Sequence, residues 1–304
     1  MNIGLVSAIL SDLTLEEVAT FAAEHGFQQI EVMCWPVGRA ERRYAGVTHI
    51  DVATLDSAQS RRILDMLAEK GVGISALGYY PNPLAADRAE RQTYIDHLRK
   101  VMDAAALLGL DLVNTFIGRD QSRPIEAQWD DYLTVWEPLV QHASERRLRF
   151  GIENCPMLFT LDEWPGGTNL ATSPAVWRKM FELIPSPNLG LNYDPSHFII
   201  QHMDEVAPIW DFGDKLFHVH AKDQRIDRRR LNDVGVWGLG WSLPKLPGLG
   251  EVRWAELFSA LNDVRYQGTV AIEVEDRAYE DTLDGRKRAL RQAKAYLDQF
   301  QAWS

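Results

Sequence analysis

Four short segments of the chain each carry, near their end, an ionisable side chain that could bind a metal ion or move a proton. The segments are RFGIENC (149–155), LGLNYDP (189–195), LFHVHAKD (216–223) and GTVAIEVED (268–276), and the side chains are Glu153, Asp194, His220 and Glu273. A buried carboxylate is costly unless it is paired or bound to a cation. Brought together, the four groups would form a site for a divalent cation.

The alternation of side chains along these segments predicts which of them meet. Successive side chains of a strand point to opposite faces. One face is bulky and apolar, as expected where helices pack on a barrel, and consists of Phe150, Ile152, Leu191, Tyr193, Phe217, Val219, Val270, Ile272 and Val274. The other face begins with small or polar residues and ends with the four ionisable groups. An ordinary ion pair would explain one such group. Four groups that all point to the same face of their strands favour a metal site.

The residue types also predict which metal would bind. Three carboxylates and one imidazole are mostly hard ligands, which favours Mn²⁺ or Mg²⁺ and allows Co²⁺. Cys155 has the same parity but is expected to be a small packing residue. Lys222 and Asp223 follow His220 and are expected to anchor the loop there. His218, one pleat deeper than His220, either hydrogen-bonds a ligand or packs in the core.

The elements that would position these groups alternate along the chain. Four further strand patterns are NIGLVS (2–7), FQQIEVMC (27–34), GISALGYY (73–80) and LVNTFIG (112–118). Strands that alternate with helical patterns indicate parallel βαβ units, and eight units predict one closed (β/α)8 TIM barrel, an α/β fold, spanning residues 1–304 as a single domain. The long connections 35–53, 156–172 and 224–252 each follow a strand, which places them on the C-terminal face, where barrel active sites lie.

Capping signals support the helices between these strands. Thr14 and Glu17 are spaced as a capping box, and Gly26, Gly71 and Gly109 each follow a helical pattern as a C-terminal glycine does. Helices are also expected over 55–70, 89–108, 128–146, 174–183, 253–262 and 284–300, with a weak one at 203–212.

Composition excludes several classes of protein. The chain has 304 residues with 32 basic and 43 acidic side chains, a net charge of −11, which argues against nucleic-acid binding because phosphate neutralisation supplies most non-specific affinity. No apolar run approaches the ~18 residues of a membrane span, and the N-terminus has no signal-peptide pattern. Cys34 and Cys155 are the two cysteines, which favours a reduced, cytoplasmic setting.

The motifs resemble those of the xylose isomerase-like barrel superfamily, in the sugar isomerase/epimerase branch that includes D-tagatose 3-epimerase and inosose-processing enzymes. The resemblance rests on GIENC (151–155), NYDPSH (192–197), HVHAKD (218–223) and GTVAIEVED (268–276), and it covers nearly the whole chain. It implies that the metal ligands are Glu153, Asp194, His220 and Glu273. It also implies that Glu153 and Glu273 act as acid and base and that His197 faces the substrate. Arg225 is similar in place to an arginine that the epimerases carry shortly after the metal histidine.

The activity expected from this resemblance is that of a metal-dependent sugar or keto-sugar isomerase or epimerase. In this hypothesis one glutamate removes a proton next to a carbonyl, the metal stabilises the enediolate, and the other glutamate returns a proton. PGLGEV (247–252) and IEVED (272–276) look like the branch that acts on 3-keto sugars, so a lyase or C-glycoside-cleaving subunit with the same enediolate chemistry is a second interpretation. A non-catalytic metal- or sugar-binding barrel is a third. An endonuclease IV type of multi-zinc enzyme is disfavoured by the charge and by the small number of histidines.

The expected partners are a small-molecule sugar and further copies of the chain, with a small partner subunit in the lyase interpretation. The basic run RIDRRR (225–230) is expected to be a solvated loop. Four tryptophans in loops that follow strands are candidates for an aromatic lid over a sugar ring or for interface anchors: Trp35, Trp164, Trp237 and Trp241.

Overall fold

A parallel barrel forms the centre of the protein, for which a computed structural model describes residues 1–38, 46–156, 167–236 and 238–301. The strands are β1 (Asn2–Val6), β2 (Gln29–Met33), β3 (Gly73–Gly78), β4 (Leu112–Thr115), β5 (Arg149–Glu153), β6 (Leu189–Tyr193), β7 (Leu216–Ala221), β8 (Asp223–Ile226), β9 (Ser242–Lys245) and β10 (Thr269–Ile272). All except β8 and β9 close the barrel, in the order β1, β10, β7, β6, β5, β4, β3, β2. The predicted (β/α)8 TIM barrel is confirmed, and each predicted strand is present.

Helices follow the barrel strands as the sequence predicts, with two further short helices, at 196–200 and 228–234, that it does not predict. They are α1 (Leu15–Glu24), α2 (Ser57–Lys70), α3 (Arg88–Leu107), α4 (Trp129–Glu145), α5 (Pro174–Leu183), α6 (Ser196–Ile200), α7 (Ala207–Asp211), α8 (Arg228–Val234), α9 (Trp254–Asp263) and α10 (Leu283–Asp298). The weak pattern at 203–212 becomes the single turn α7, in which Pro208 lies in the first turn, where a missing N–H is tolerated. No helix in the described ranges is long and apolar enough to cross a membrane.

Local capping fixes where the helices begin and end. The Thr14 backbone N–H donates to Glu17 Oε2 at 2.7 Å, and the Glu17 N–H donates to Thr14 Oγ1 at 3.3 Å, which confirms the capping box of α1. Gly71 ends α2 with a φ of 68°, a left-handed conformation that costs an L side chain roughly 1–2 kcal/mol.

The apolar faces of the strands pack outward against the helices. Phe150, Ile152, Leu191 and Tyr193 are fully buried in the large core, where α4 and α5 supply two tryptophan rings. The Trp136 ring lies 5.3 Å from that of Phe150, and the Trp177 ring lies 6.1 Å from that of Tyr193. The predicted parity of β5 and β6 is therefore confirmed, because their alternate residues must point into the barrel.

The connection 224–252, which the sequence suggested only as a long loop, contains structure of its own. It forms the antiparallel pair β8–β9, with Asp223 opposite Lys245 and Ile226 opposite Ser242, and the helix α8 between the two strands. The run RIDRRR is largely solvated, as expected, but it lies in β8 and α8 and not in a loop.

Candidate metal centre

The ends of four neighbouring barrel strands bring the predicted ligand residues together. Glu153 ends β5, Asp194 follows β6, His220 lies in β7, and Glu273 follows β10. One potential ligand atom from each of the four lies within 4.8 Å of the others. Since β5, β6, β7 and β10 are consecutive around the barrel, matching parity was enough to place these side chains on one side of the mouth.

Burial makes this cluster dependent on opposite charge. Asp194 and His220 are fully buried, Glu153 is 3% exposed, and the Glu273 side chain is 19% exposed. His220 Nδ1 lies 3.5 Å from Glu273 Oε2 and 3.7 Å from Glu153 Oε1, yet among the described residues it has no hydrogen-bond partner. A buried nitrogen without a partner that faces carboxylate oxygens fits a metal ligand, and this donor set suits a hard divalent cation.

Lys222 is the unexpected member of the site. Its Nζ lies 2.7 Å from Glu273 Oε2, 3.0 Å from Asp194 Oδ2 and 3.4 Å from Glu275 Oε2, and its side chain is only 4% exposed. Burial would lower the pKa of Lys222, but Asp194 and Glu273 outweigh that effect and raise the pKa well above its usual value. The prediction that Lys222 anchors a loop is wrong, because two residues after His220 the side chain again points into the barrel.

Asp223 does anchor the following loop, as predicted. Its carboxylate accepts hydrogen bonds from the N–H groups of Gly248 and Val252, at 2.9 and 3.0 Å, and from the indole of Trp254 at 2.8 Å. Gly250 passes so close that a β-carbon there would lie 2.2 Å from Asp223 Oδ1. The end of 224–252 is thereby tied to the rim beside the cluster.

The pKa values of the carboxylates show that the cluster favours their charged forms. Burial would raise the pKa of Glu153, but its contacts with His197, His220 and Lys222 lower it to about 2. The charges of Lys222 and His197 lower the pKa of Asp194 likewise, against its burial. Both carboxylates are therefore ionised at neutral pH, as metal ligands must be.

His197 faces the same cluster from α6. Its Nε2 lies 3.2 Å from Glu153 Oε1 and 3.2 Å from Asp194 Oδ2. Cys155 lies close to both residues, because one donor atom each of Glu153, Cys155 and His197 lies within 4.8 Å of the others. Cys155 also packs against the small apolar cluster inside the mouth, as expected of a packing residue.

Arg225 is not brought into the cluster. It is exposed on β8, and within the described part of the chain its guanidinium forms no ion pair or hydrogen bond with the four ligand candidates. Of the lid candidates, Trp164 and Trp237 lie outside the described residues. Trp35 packs edge-on against Tyr79 at 5.0 Å, and Trp241 is buried, with its ring 6.1 Å from that of His202.

Glu31 is the buried group that the sequence analysis missed. It lies in β2, is fully buried, and contacts His220 Nε2 through its Oε2 at 2.7 Å. Tyr80 donates its hydroxyl to Glu31 Oε1, and His218 Nδ1 lies 3.6 Å from Oε2. Glu31, His218 and His220 form another group of potential ligands. The sequence did offer a signal for Glu31, because it is the only charged residue in the strand pattern FQQIEVMC (27–34).

Two hydrogen bonds define the surroundings of His218. Its Nδ1 contacts Asn192 Oδ1 and its Nε2 contacts Ser75 Oγ, both at 3.1 Å. Burial is the main reason that the pKa of His218 falls to about 4. His218 is therefore a neutral ring within a polar network under the cluster.

A family model described as the xylose isomerase-like TIM barrel matches residues 19–300. The chain belongs to this family. A relative in Bacillus subtilis (strain 168), the uncharacterized protein YfiH, is 24% identical over 91% of this chain and 93% of its own.

Solved structures share the fold over almost the full length. The IolI protein with a bound zinc atom has a TM-score of 0.74 at 15% identity and covers 100% of both chains. The probable 3-DHS dehydratase AsbF of Bacillus anthracis has a TM-score of 0.73 at 15% identity, over 98% of this chain and 99% of that one. A D-psicose 3-epimerase determined with D-fructose has a TM-score of 0.71 at 16% identity, over 97% and 98%. At these identities the likeness establishes the fold.

Proposed function

We propose that the protein is a divalent-metal-dependent enzyme that isomerises or epimerises a keto sugar by moving a proton next to a carbonyl. One observation carries the proposal: Glu153, Asp194, His220 and Glu273 converge at the C-terminal mouth of the barrel. A structural ion-pair network needs no such convergence of three carboxylates on an unpartnered imidazole nitrogen.

The proposed ligands are the four converging side chains. A divalent cation held there would polarise a carbonyl oxygen and thereby acidify the neighbouring carbon. Mn²⁺ and Mg²⁺ fit the oxygen-rich donor set best, with Co²⁺ next. The zinc atom named with the IolI structure, and the thiol of Cys155 beside Glu153, make Zn²⁺ a further ion to test.

Two carboxylates are available for the proton transfer. Glu153 and Glu273 extend from β5 and from the end of β10, with β6 and β7 between them, so they approach a substrate from different sides. One would remove the carbon proton, and the other would return a proton to the opposite face or to the neighbouring carbon. His197, within 3.2 Å of Glu153 and Asp194, would orient a substrate oxygen.

A lyase that begins with the same proton removal is the second candidate. The ammonium of Lys222, 2.7 Å from Glu273 Oε2, could donate a proton to a departing oxygen. A neighbouring structure is named a probable dehydratase. Arg225 is exposed on β8, and its role as a substrate contact stays a prediction.

Isotope exchange tests this proposal. The Mn²⁺-loaded protein is incubated in D₂O with a panel of ketoses, phosphorylated ketoses and 3-keto sugars, and products are followed by NMR. Deuterium on the carbon next to a carbonyl is expected, with an isomer or epimer as the product; loss of water or of an aglycone indicates the lyase. Binding without exchange across the panel contradicts the proposal and identifies a non-catalytic binding barrel.

The matched control is Glu251→Gln. Glu251 lies in the connection 224–252 that follows β7, but it pairs with Arg228 at 2.7 Å and belongs to no group of potential ligands among the described residues. The control variant is expected to exchange at the wild-type rate, whereas Glu273→Gln is expected to lose exchange.

A further inference from the structure

Glu31 contacts the metal-facing histidine from a distant strand. Two barrel strands, β10 and β1, lie between β7, which carries His220, and β2, which carries Glu31. The two side chains meet inside the barrel, where neither is exposed to solvent. Such a contact between fully buried groups is costly unless its hydrogen bonds are complete.

The distances around this contact indicate which atoms carry its protons. Glu31 Oε2 lies 2.7 Å from His220 Nε2, a separation that requires a hydrogen between the two atoms, and Tyr80 donates to the other oxygen. Asn192 Nδ2 also lies 3.0 Å from His220 Nε2, but with Nε2 protonated that amide donates to the Tyr80 hydroxyl instead, at 3.1 Å. His218 donates from Nδ1 to Asn192 Oδ1, and its Nε2 accepts from Ser75. This assignment gives each of these groups a partner.

The consequence for His220 is a fixed tautomer. Once a cation replaces any proton on Nδ1, a neutral ring that keeps its proton on Nε2 presents a lone pair at Nδ1, the atom that faces Glu153 and Glu273 and lacks a partner among the described residues. The opposite tautomer would put two lone pairs 2.7 Å apart at Glu31. A carboxylate that accepts a hydrogen bond from one ring nitrogen of a histidine also makes the other ring nitrogen a stronger electron-pair donor to a metal ion.

The same distance argues against Glu31, His218 and His220 as a second metal site. Two ligands on an octahedral cation with bonds of about 2.1 Å lie about 3 Å apart or more. Glu31 Oε2 and His220 Nε2 are closer than that, and a hydrogen bond accounts for the contact.

We infer that Glu31 is a positioning residue that sets the tautomer and orientation of His220, so that the affinity of the protein for its divalent cation depends on a carboxylate that does not touch the cation. The inference rests on the metal centre of the proposed function. It adds a residue from the first half of the barrel to a site whose ligands all come from the second half.

The test is a metal titration of the full-length protein. Mn²⁺ and Co²⁺ affinities are measured with a chelator competition for wild type, Glu31→Gln and Glu205→Gln. Glu205 is the matched control, because it is a buried carboxylate that pairs with Arg253 at 3.0 Å on the outside of the barrel. Removing a carboxylate behind a metal-binding histidine typically weakens binding roughly 10- to 100-fold, which is the expected loss for Glu31→Gln. Glu205→Gln is expected to bind as wild type does.

The outcomes separate this inference from the proposed function. If the wild type binds no divalent cation, the proposed function fails; if wild type and Glu31→Gln bind equally, only the inference is overturned. NMR of the histidine ring nitrogens in the wild type loaded with diamagnetic Mg²⁺ gives a second readout that does not depend on the variant folding. A proton on His220 Nε2 supports the inference, and a proton on Nδ1 alone overturns it.

Discussion

The two sides of the barrel mouth differ in chemistry, although the same strand alternation builds both. The charged wall, formed by Glu153, Asp194, His220, Lys222 and Glu273, belongs to β5, β6, β7 and β10 and to the residues directly after them. The apolar wall, formed by Val6, Met33, Tyr80 and Phe116, belongs to β1 to β4 and to the residues that follow them. One side therefore supplies the charged groups, and the other excludes water and so strengthens the electrostatic interactions of those groups.

Glu31 is where the two walls are joined. Its carboxylate accepts from Tyr80 of the apolar wall and from His220 of the charged wall. The apolar wall is therefore connected by a hydrogen-bond network to the cluster, and substitutions in the two walls are expected to differ in kind as well as in size.

The largest effect is expected at the carboxylate proposed as a base. Glu153→Gln is expected to lower turnover ~10²- to 10⁴-fold at saturating metal, because a general acid–base group is lost with little change in shape. Steady-state kinetics with the substrate found by deuterium exchange measures the loss. Turnover within about threefold of wild type would show that Glu153 is not that base, since general acid–base groups contribute far more.

Removal of the buried ammonium group of Lys222 is expected to destabilise the charged wall itself. In Lys222→Met, the carboxylates of Asp194 and Glu273 lose an ion pair, which typically costs about 3–5 kcal/mol when the pair is buried. Mn²⁺ is expected to restore part of that stability, so the rise in melting temperature on adding Mn²⁺ is larger in the variant.

Thermal unfolding with and without Mn²⁺ measures both effects. Lys179→Met is the control, because Lys179 pairs with Glu182 at 3.0 Å on an exposed helix surface. Equal melting temperatures for Lys222→Met and the control would contradict the assignment of Lys222 as the counter-ion of the cluster.

Substitution in the apolar wall is expected to have a smaller effect of a different kind. The Phe116 ring lies 5.0 Å from that of Tyr80, and Phe116→Leu is expected to cost about 1 kcal/mol of stability. Denaturant unfolding measures the stability of the variant, and a Mn²⁺ titration measures its metal affinity. The metal affinity is expected to be unchanged. A change in affinity beyond about threefold, or about 0.6 kcal/mol, would show that the apolar wall also determines metal binding.

The smallest effect is expected at an ion pair outside both walls. Burial would raise the pKa of Asp131, but Arg123 and Arg91 outweigh it and lower the pKa. A carboxyl whose folded-state pKa is depressed stabilises the fold at neutral pH, and this contribution disappears as the pH falls through that lowered pKa. Asp131→Asn is therefore expected to cost about 0.5–1 kcal/mol at pH 7 and less in acid. Urea unfolding at both pH values checks the trend, and an equal cost at both would contradict it.

The sequence was sufficient for the barrel and for the convergence of its four ionisable strand ends. A period of two places Glu153, Asp194, His220 and Glu273 on one face, and right-handed βαβ order makes their strands neighbours. These two constraints are local, so one chain contains all the information they require.

The sequence was insufficient where a side chain meets a partner that is distant along the chain or where its own length decides its reach. Glu31 and His220 are 189 residues apart, and a pattern within one strand carries no information about such a contact. Lys222 has the parity of His220, but parity alone does not show how far its ammonium extends. The antiparallel pair β8–β9 was missed because each strand has only four residues, about half of them charged or polar, and because a helix separates the two strands.

The most direct test of the central claim is anomalous X-ray diffraction from crystals of the wild-type protein saturated with Mn²⁺. The account predicts one strong peak at bonding distance from Glu153, Asp194, His220 Nδ1 and Glu273. A peak beside His220 Nε2 and Glu31 instead, or no peak at the mouth of the barrel, would contradict it.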